Sequence, residues 1–274
     1  MRMISYAQNF EDLMLYRALR DVEQGFYIDV GAQHPSVHSV TKFFYDLGWS
    51  GINIEPVESY FRLLEIDRPR DVNLQYVIGD KPGKVTFYEV EGTGLSTVNP
   101  ESLDKFSEMG FTVNEHICIS HTLDSVLDQF SPNTVHFLKI DVEGFEREVL
   151  SSVTLEKYRP WVIIVEATKP TTTVPSHFDW EHILLESDYL NCYNDGLNRF
   201  YLSIEKTNLK KFFDYPPNCF DHYEKSHVVD LEILLANTTL KLKDIESSTI
   251  WRSSQRLRNL VAFIKKRFID VDFK

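Results

Sequence analysis

The chain has 274 residues, 43% of them hydrophobic and 26% charged, and its aromatics include 19 Phe and 13 Tyr, enough apolar bulk to fill a core and to exclude an intrinsically disordered chain. A net charge of −12 repels phosphates over most of the surface and excludes nucleic acid as the main partner. No apolar run approaches the ~20 residues that span a bilayer, and Met1 to Tyr6 hold no signal-peptide core; the expected location is cytoplasmic. Cys118, Cys192 and Cys219 lie 74 and 27 positions apart, a spacing that matches no zinc site and leaves an odd thiol, so all three read as reduced.

Short β-branched or aromatic runs bounded by turn residues predict buried strands at Phe26 to Val30, Gly51 to Glu55, Asn73 to Ile78, Val135 to Ile140 and Trp161 to Val165. Helical spacing at Val40 to Leu47, Val57 to Ile66 and Glu146 to Tyr158 fills intervals between them. Alternating strand and helix is the pattern of a doubly wound, mostly parallel α/β sheet. Asn198 to Ile204, with Phe200, Leu202 and Ile204 alternating, predicts a late antiparallel strand that closes it. The pattern changes beyond Pro216-Pro217, which divides the chain into a domain over 1–217 and a helical tail over 218–274.

In an open α/β sheet, ligands bind beyond the carboxyl ends of the strands. Two predicted strands end there in an acid, Asp29 before Gly31 and Glu55 before Pro56, and an acid at Glu55's interval from Gly31 is placed to grip ribose hydroxyls. An isolated Asp29-x-Gly31 can equally be a turn in which the carboxylate bonds local amides. Gly31 lacks the further glycines of a dinucleotide fingerprint, and no phosphate-cradling G-x-x-x-x-G-K-[ST] is present. A cofactor with a ribose but no phosphates fits this set, and S-adenosylmethionine has that description.

Six blocks in order, from Ser5-Tyr6-Ala7-Gln8-Asn9-Phe10-Glu11-Asp12 through FYIDVGAQHP, GWSGINIEP, FLKIDVEGFEREVL and VIIVEAT to DGLNRFY, resemble the FkbM-type family of S-adenosylmethionine-dependent methyltransferases over roughly residues 4 to 204. The resemblance implies the seven-stranded, Rossmann-like class I methyltransferase fold and, as substrates, hydroxyl groups on sugars or polyketide-like products. It places Asp29 and Gly31 along the methionine and ribose of the cofactor, Glu55 on the ribose diol, Asp80 near the adenine amine, and Gln8 over the cofactor from the N-terminal segment. Phe10 stands where many relatives have Gly.

A sugar hydroxyl is a poor nucleophile until a base removes its proton, and Asp141 at the end of the fourth strand is the first candidate, with Glu143 beside it. The competing reading makes Asp141 a helix cap and Glu143 a complement to the helix dipole. Lys139 is expected to pair with one of these acids. His34, beside the cofactor turn, Glu166, across the pocket mouth, and Asp195 and Asn198, in the loop before the closing strand, are candidate substrate contacts, although Asp-Gly-x-Asn is also an ordinary turn composition. A metal is not expected; were the reaction metal-dependent, Asp141 and Glu166 would be the oxygen ligands for Mg²⁺. The polar, glycine-rich Glu91 to Thr97 reads as a flap over the site or as a plain surface loop.

The expected function is therefore methyl transfer to a hydroxyl of a sugar or glycan precursor in surface polysaccharide synthesis, the alternative being a non-catalytic α/β binding module or scaffold in glycan assembly. In the tail, Leu231, Leu235, Thr238, Leu242 and Ile245 form a heptad-like stripe. Residues 251–274 carry seven Lys/Arg against two Asp, which leaves −17 for the preceding 250. Trp251, Leu257, Leu260, Val261, Ile264 and Phe268 share a face there, flanked by Arg252, Arg256, Arg258, Lys265, Lys266 and Arg267. A basic amphipathic segment of this kind suits the inner face of a membrane or an acidic glycan-assembly protein; a homodimer seam, or a helix folded back on its own sheet, are the other readings of 225–274.

Overall fold

The computed structural model describes residues 3–269, which divide into a first unit that runs to Tyr223 and a second that begins at Glu224. In chain order the first unit contains β1 (Met3–Ser5), α1 (Glu11–Leu19), β2 (Phe26–Val30), α2 (Lys42–Asp46), β3 (Ser50–Ile54), α3 (Glu58–Asp67), β4 (Val72–Leu74), β5 (Val77–Ile78), β6 (Gly83–Val90) and α4 (Leu103–Glu108). It continues with β7 (Val113–His121), α5 (Leu123–Phe130), β8 (Phe137–Ile140), α6 (Glu146–Leu150), α7 (Leu155–Tyr158), β9 (Val162–Glu166), α8 (Glu181–Glu186), β10 (Tyr189–Asn194) and β11 (Asn198–Ser203).

Seven strands form one mixed sheet in the order β10-β11-β9-β8-β2-β3-β4. The five from β4 to β9 are parallel to their neighbours, whereas β11 runs antiparallel to β9 and to β10. Both faces are covered, as a parallel sheet requires. Because side chains alternate along a strand, Ile28, Val30, Ile52, Ile54, Leu138 and Ile140 enter one core with residues of α5 to α8, while Tyr27, Phe137, Val162, Ile164 and Phe200 enter another with residues of α1 and α2. Each fully buried Ile or Leu contributes about 1.5–3 kcal/mol. Helix α5 shows how local sequence sets such an element: Thr122 Oγ1 accepts the Ser125 amide at 3.2 Å as its N-cap, and Leu123, Val126 and Leu127 are buried along one face.

The structure departs from the sequence expectation in several ways. The single predicted strand Asn73 to Ile78 is split: Val72–Leu74 pairs with β3, whereas Val77–Ile78 leaves for a second, three-stranded sheet of order β5-β7-β6. There Val77 packs with Val57 and Phe87. The long antiparallel pair β6 and β7 was not foreseen, because Ile117 and Ile119 face solvent and the strands carry no continuous apolar signal. The closing strand is antiparallel as expected, but β10 lies outside it at the sheet edge. The helix expected over Glu146 to Tyr158 is two short ones. The first unit also runs past Pro217, since the Arg17 guanidinium on α1 pairs with the Asp221 carboxylate.

The second unit contains α9 (Ser226–Ser247), α10 (Thr249–Ser253) and α11 (Gln255–Ile269). Helix α9, about 33 Å long at 1.5 Å per residue, leaves Leu231, Leu235, Leu242 and Ile245 exposed. Ser248 ends it and caps α10 by accepting the Trp251 amide at 3.2 Å. The Arg258 guanidinium lies 3.6 Å over the Trp251 ring. Residues 270–274 of the proposed basic tail lie outside the described residues, as do the side chains of Arg256, Ile264, Lys265, Lys266, Arg267 and Phe268. Among the described residues no helix is long and apolar enough to cross a membrane.

Candidate active site

One register row of the sheet explains the site's electrostatics. Asn53, Asp29, Lys139 and Ile164 stand side by side on β3, β2, β8 and β9. A buried acid and a buried lysine therefore meet inside the sheet layer, and each is tolerable only with the other. Lys139 Nζ lies 3.3 Å from Asp29 Oδ1 and 3.3 Å from Asp141 Oδ2, and donates to the Gly31 carbonyl at 2.8 Å. Burial opposes its charge, but Asp29 and Asp141 more than offset that and hold its pKa above the usual lysine range. Asp29 accepts a further hydrogen bond from Thr41 Oγ1 at 3.2 Å, and its own pKa is raised by burial against the pull of Lys139.

Beyond the strand ends opens a cavity of about 770 Å³, within the range of small-molecule sites. Gly31 forms part of its floor at φ 78°, and a Cβ there would stand 1.8 Å from the Asp141 carbonyl oxygen. Only glycine fits both the left-handed turn and that approach. Glu55 closes the neighbouring wall: its Oε2 accepts the Gln33 amide and its Oε1 the Val57 amide, each at 2.7 Å. Burial pushes its pKa up to about 7 despite those bonds.

At the other side, Asp141, Glu143 and Glu166 converge, with one carboxylate oxygen from each within 4.8 Å of the others. Asp141 is half-buried, and its amide is fixed by the Val30 carbonyl at 3.0 Å. Helix α6 starts at Glu146, with Phe145 at its N-cap, so Asp141 does not cap it. Glu146 Oε1 instead ties the loop by accepting the amides of Gly144 at 3.0 Å and Val142 at 3.3 Å. Burial, then Asp141 and Glu146, push the Glu143 pKa up to about 9; Glu166 is raised well above the carboxylate range by burial and then by Asp141 and Glu143.

Of the residues singled out from the sequence, Gln8, Gly31, Glu55, Asp141, Glu143, Glu166 and Asn198 line this one cavity. Asp29 lies behind it, holding Lys139. Asp80 is exposed beyond β5 and His34 accepts the amides of Ser36 and Val37, both away from the lining, where His38 stands instead. Asp195 forms the turn: its Oδ1 accepts the Leu197 and Asn198 amides at 2.8 and 2.6 Å. The segment Thr93 to Val98 does line the cavity, pinned by Thr97 Oγ1 donating to the Glu143 carbonyl at 2.8 Å. The sequence reading gives no role to Thr171 to Thr173 or to Tyr60 and Tyr76, which also line the cavity, nor to Glu11, whose Oε1 accepts Asn198 Nδ2 at 2.8 Å. Phe10 takes φ 64° and packs its ring 5.0 Å from that of Tyr223.

The family model of the methyltransferase FkbM domain matches residues 29–190. The chain belongs to the FkbM methyltransferase family. The FkbM match runs from the end of β2 to the start of β10 and so includes Gly31, Glu55, Asp141, Glu143 and Glu166, while Gln8, Glu11 and Asn198 lie outside it. Membership supports methyltransferase activity and implies S-adenosylmethionine as the methyl donor. A search of curated proteins finds no match.

Proposed function

We propose that this FkbM-family protein is an O-methyltransferase that transfers the methyl group of S-adenosylmethionine to a hydroxyl of a sugar or glycan precursor for surface polysaccharide. Five parallel strands followed by an antiparallel pair, with ligand groups at the strand ends, support the class I methyltransferase architecture. Residues at Gly31 and Glu55 suit the donor: glycine admits it close to the backbone, and each Glu55 oxygen keeps a lone pair for a ribose hydroxyl. Bound there, S-adenosylmethionine supplies an electrophilic methyl group on a positively charged sulfur.

The observation that carries the reading is the carboxylate wall of Asp141, Glu143 and Glu166 in the same cavity as Gly31 and Glu55. Asp141, half-exposed and facing Lys139, is placed to take the hydroxyl proton as the oxygen–carbon bond forms and the sulfur–methyl bond breaks. Asn198 and Thr171 to Thr173 offer hydrogen bonds to neighbouring hydroxyls. Most of the rate gain comes from holding oxygen and methyl in line. The test is a screen with methyl-labelled donor against nucleotide sugars, lipid-linked sugars and extracted glycans. Label should enter a sugar hydroxyl; label that enters only non-sugar acceptors would reject the sugar assignment.

The second unit is proposed to hold the enzyme at an anionic membrane surface. The exposed apolar residues of α9 and the net positive charge of 251–274 support that role.

A further inference from the structure

We infer that Asp141, Glu143 and Glu166 form a binding site for one hard divalent cation, such as Mg²⁺ or Mn²⁺. One oxygen from each carboxylate lies within 4.8 Å of the other two, a separation that oxygens around a single ion span at metal–oxygen distances of about 2.0–2.6 Å. The donors are all carboxylate oxygens, with no thiol or imidazole among them, which selects hard cations over softer metals. A second observation is independent of that proximity. Glu166 is only 6% exposed, yet its Oε2 has no hydrogen-bond partner, and neither has Glu143 Oε2. Buried polar atoms are almost always paired, so two orphaned carboxylate oxygens in one cluster point to a missing positive partner.

Charge leads to the same place. Asp141, Glu143 and Glu166 line this end of the cavity, Glu146 ties their loop and Asp29 lies behind it, and Lys139 contacts Asp29 and Asp141. Asp141 is 38% exposed on its side chain, so the ion would keep open positions toward the cavity. There it can take oxygens of the acceptor and make the reacting hydroxyl easier to deprotonate. That catalytic role rests on the cavity being the methyl-transfer site, whereas cation binding does not.

The test is titration of the full-length, chelator-treated protein with Mn²⁺, followed by loss of the free-ion electron paramagnetic resonance signal. One Mn²⁺ should bind per chain and be displaced by Mg²⁺, and Glu166→Gln and Glu143→Gln should each weaken binding about tenfold or more. Cooperative melting of each variant shows that it is folded; should Glu166→Gln not fold, Asp141→Asn replaces it. Absence of a saturable site, or affinity unchanged in folded variants, overturns the proposal. Mn²⁺ bound at this cluster without methyl transfer to any acceptor would sustain the cation site while refuting the transferase reading; transfer by a protein with no Mn²⁺ site would do the reverse.

Discussion

Asn198 Nδ2 donates to Glu11 Oε1 at 2.8 Å, joining the first residue of β11 to the first residue of α1 inside the cavity wall. Burial, reinforced by Asp195 and Asp12, raises the Glu11 pKa to about 8. An unfolded glutamate ionises near pH 4.3, so above that pH the unfolded chain loses a proton that the folded chain keeps. The associated stability is fully present below the unfolded value and is lost as pH rises to about 8. Glu55, raised to about 7, and Asp12, raised to about 6, act in the same direction. Glu11→Gln should therefore flatten the fall in unfolding free energy between pH 5.5 and 8, an effect on the order of a few kcal/mol. Denaturant unfolding at the two pH values checks it; an unchanged slope would show that Glu11 ionises normally.

Lys139 is the counter-ion for Asp29 and Asp141, and its removal strands Asp29, which is only 1% exposed. Lys139→Met should destabilise the fold by about 3–5 kcal/mol, the penalty for an unpaired buried charge. Adding Asp29→Asn should recover part of that loss, because the neutral amide no longer needs the ammonium. A double-mutant cycle measured by denaturant unfolding reads the coupling directly. Strictly additive losses would mean that the two residues do not act as a pair.

The parts of this arrangement that were legible in the sequence share one physical cause. Buried parallel strands read as short apolar runs, so Phe26 to Val30 and Val135 to Ile140 announced themselves, and with them the acids at their ends, Asp29, Glu55 and Asp141. What such runs cannot give is which way a side chain turns past the strand. Asp29 and Glu55 look equivalent in sequence, yet Asp29 is turned back onto Lys139 and Glu55 faces the cavity. Asp80 seemed to end the same strand as Asn73, but the chain changes sheets between Leu74 and Val77, which carries Asp80 out to solvent. Glu11 has a weaker signal in the sequence, an acidic pair Glu11-Asp12 followed directly by the apolar Leu13-Met14-Leu15, all five buried.

For the second unit, full-length protein should co-sediment with vesicles containing anionic lipid, less so as salt is raised, and hardly at all with neutral vesicles. Trp251→Ala should weaken binding, since Trp251 offers an amphipathic ring next to Arg252 and Arg258. No binding at low salt would contradict the membrane role, and a dimer in light scattering that Leu235→Glu dissociates would assign the α9 stripe to self-association.

The central claim is that Asp141 acts on the acceptor hydroxyl in a cavity that holds the donor at Gly31 and Glu55. Its most direct test compares Asp141→Asn with the parent in two measurements on the same preparation, donor affinity by calorimetry and turnover of labelled methyl groups. Donor affinity should stay within a few-fold, while turnover falls by about 10²- to 10⁴-fold, the usual worth of a general base. Full turnover in Asp141→Asn would contradict the account.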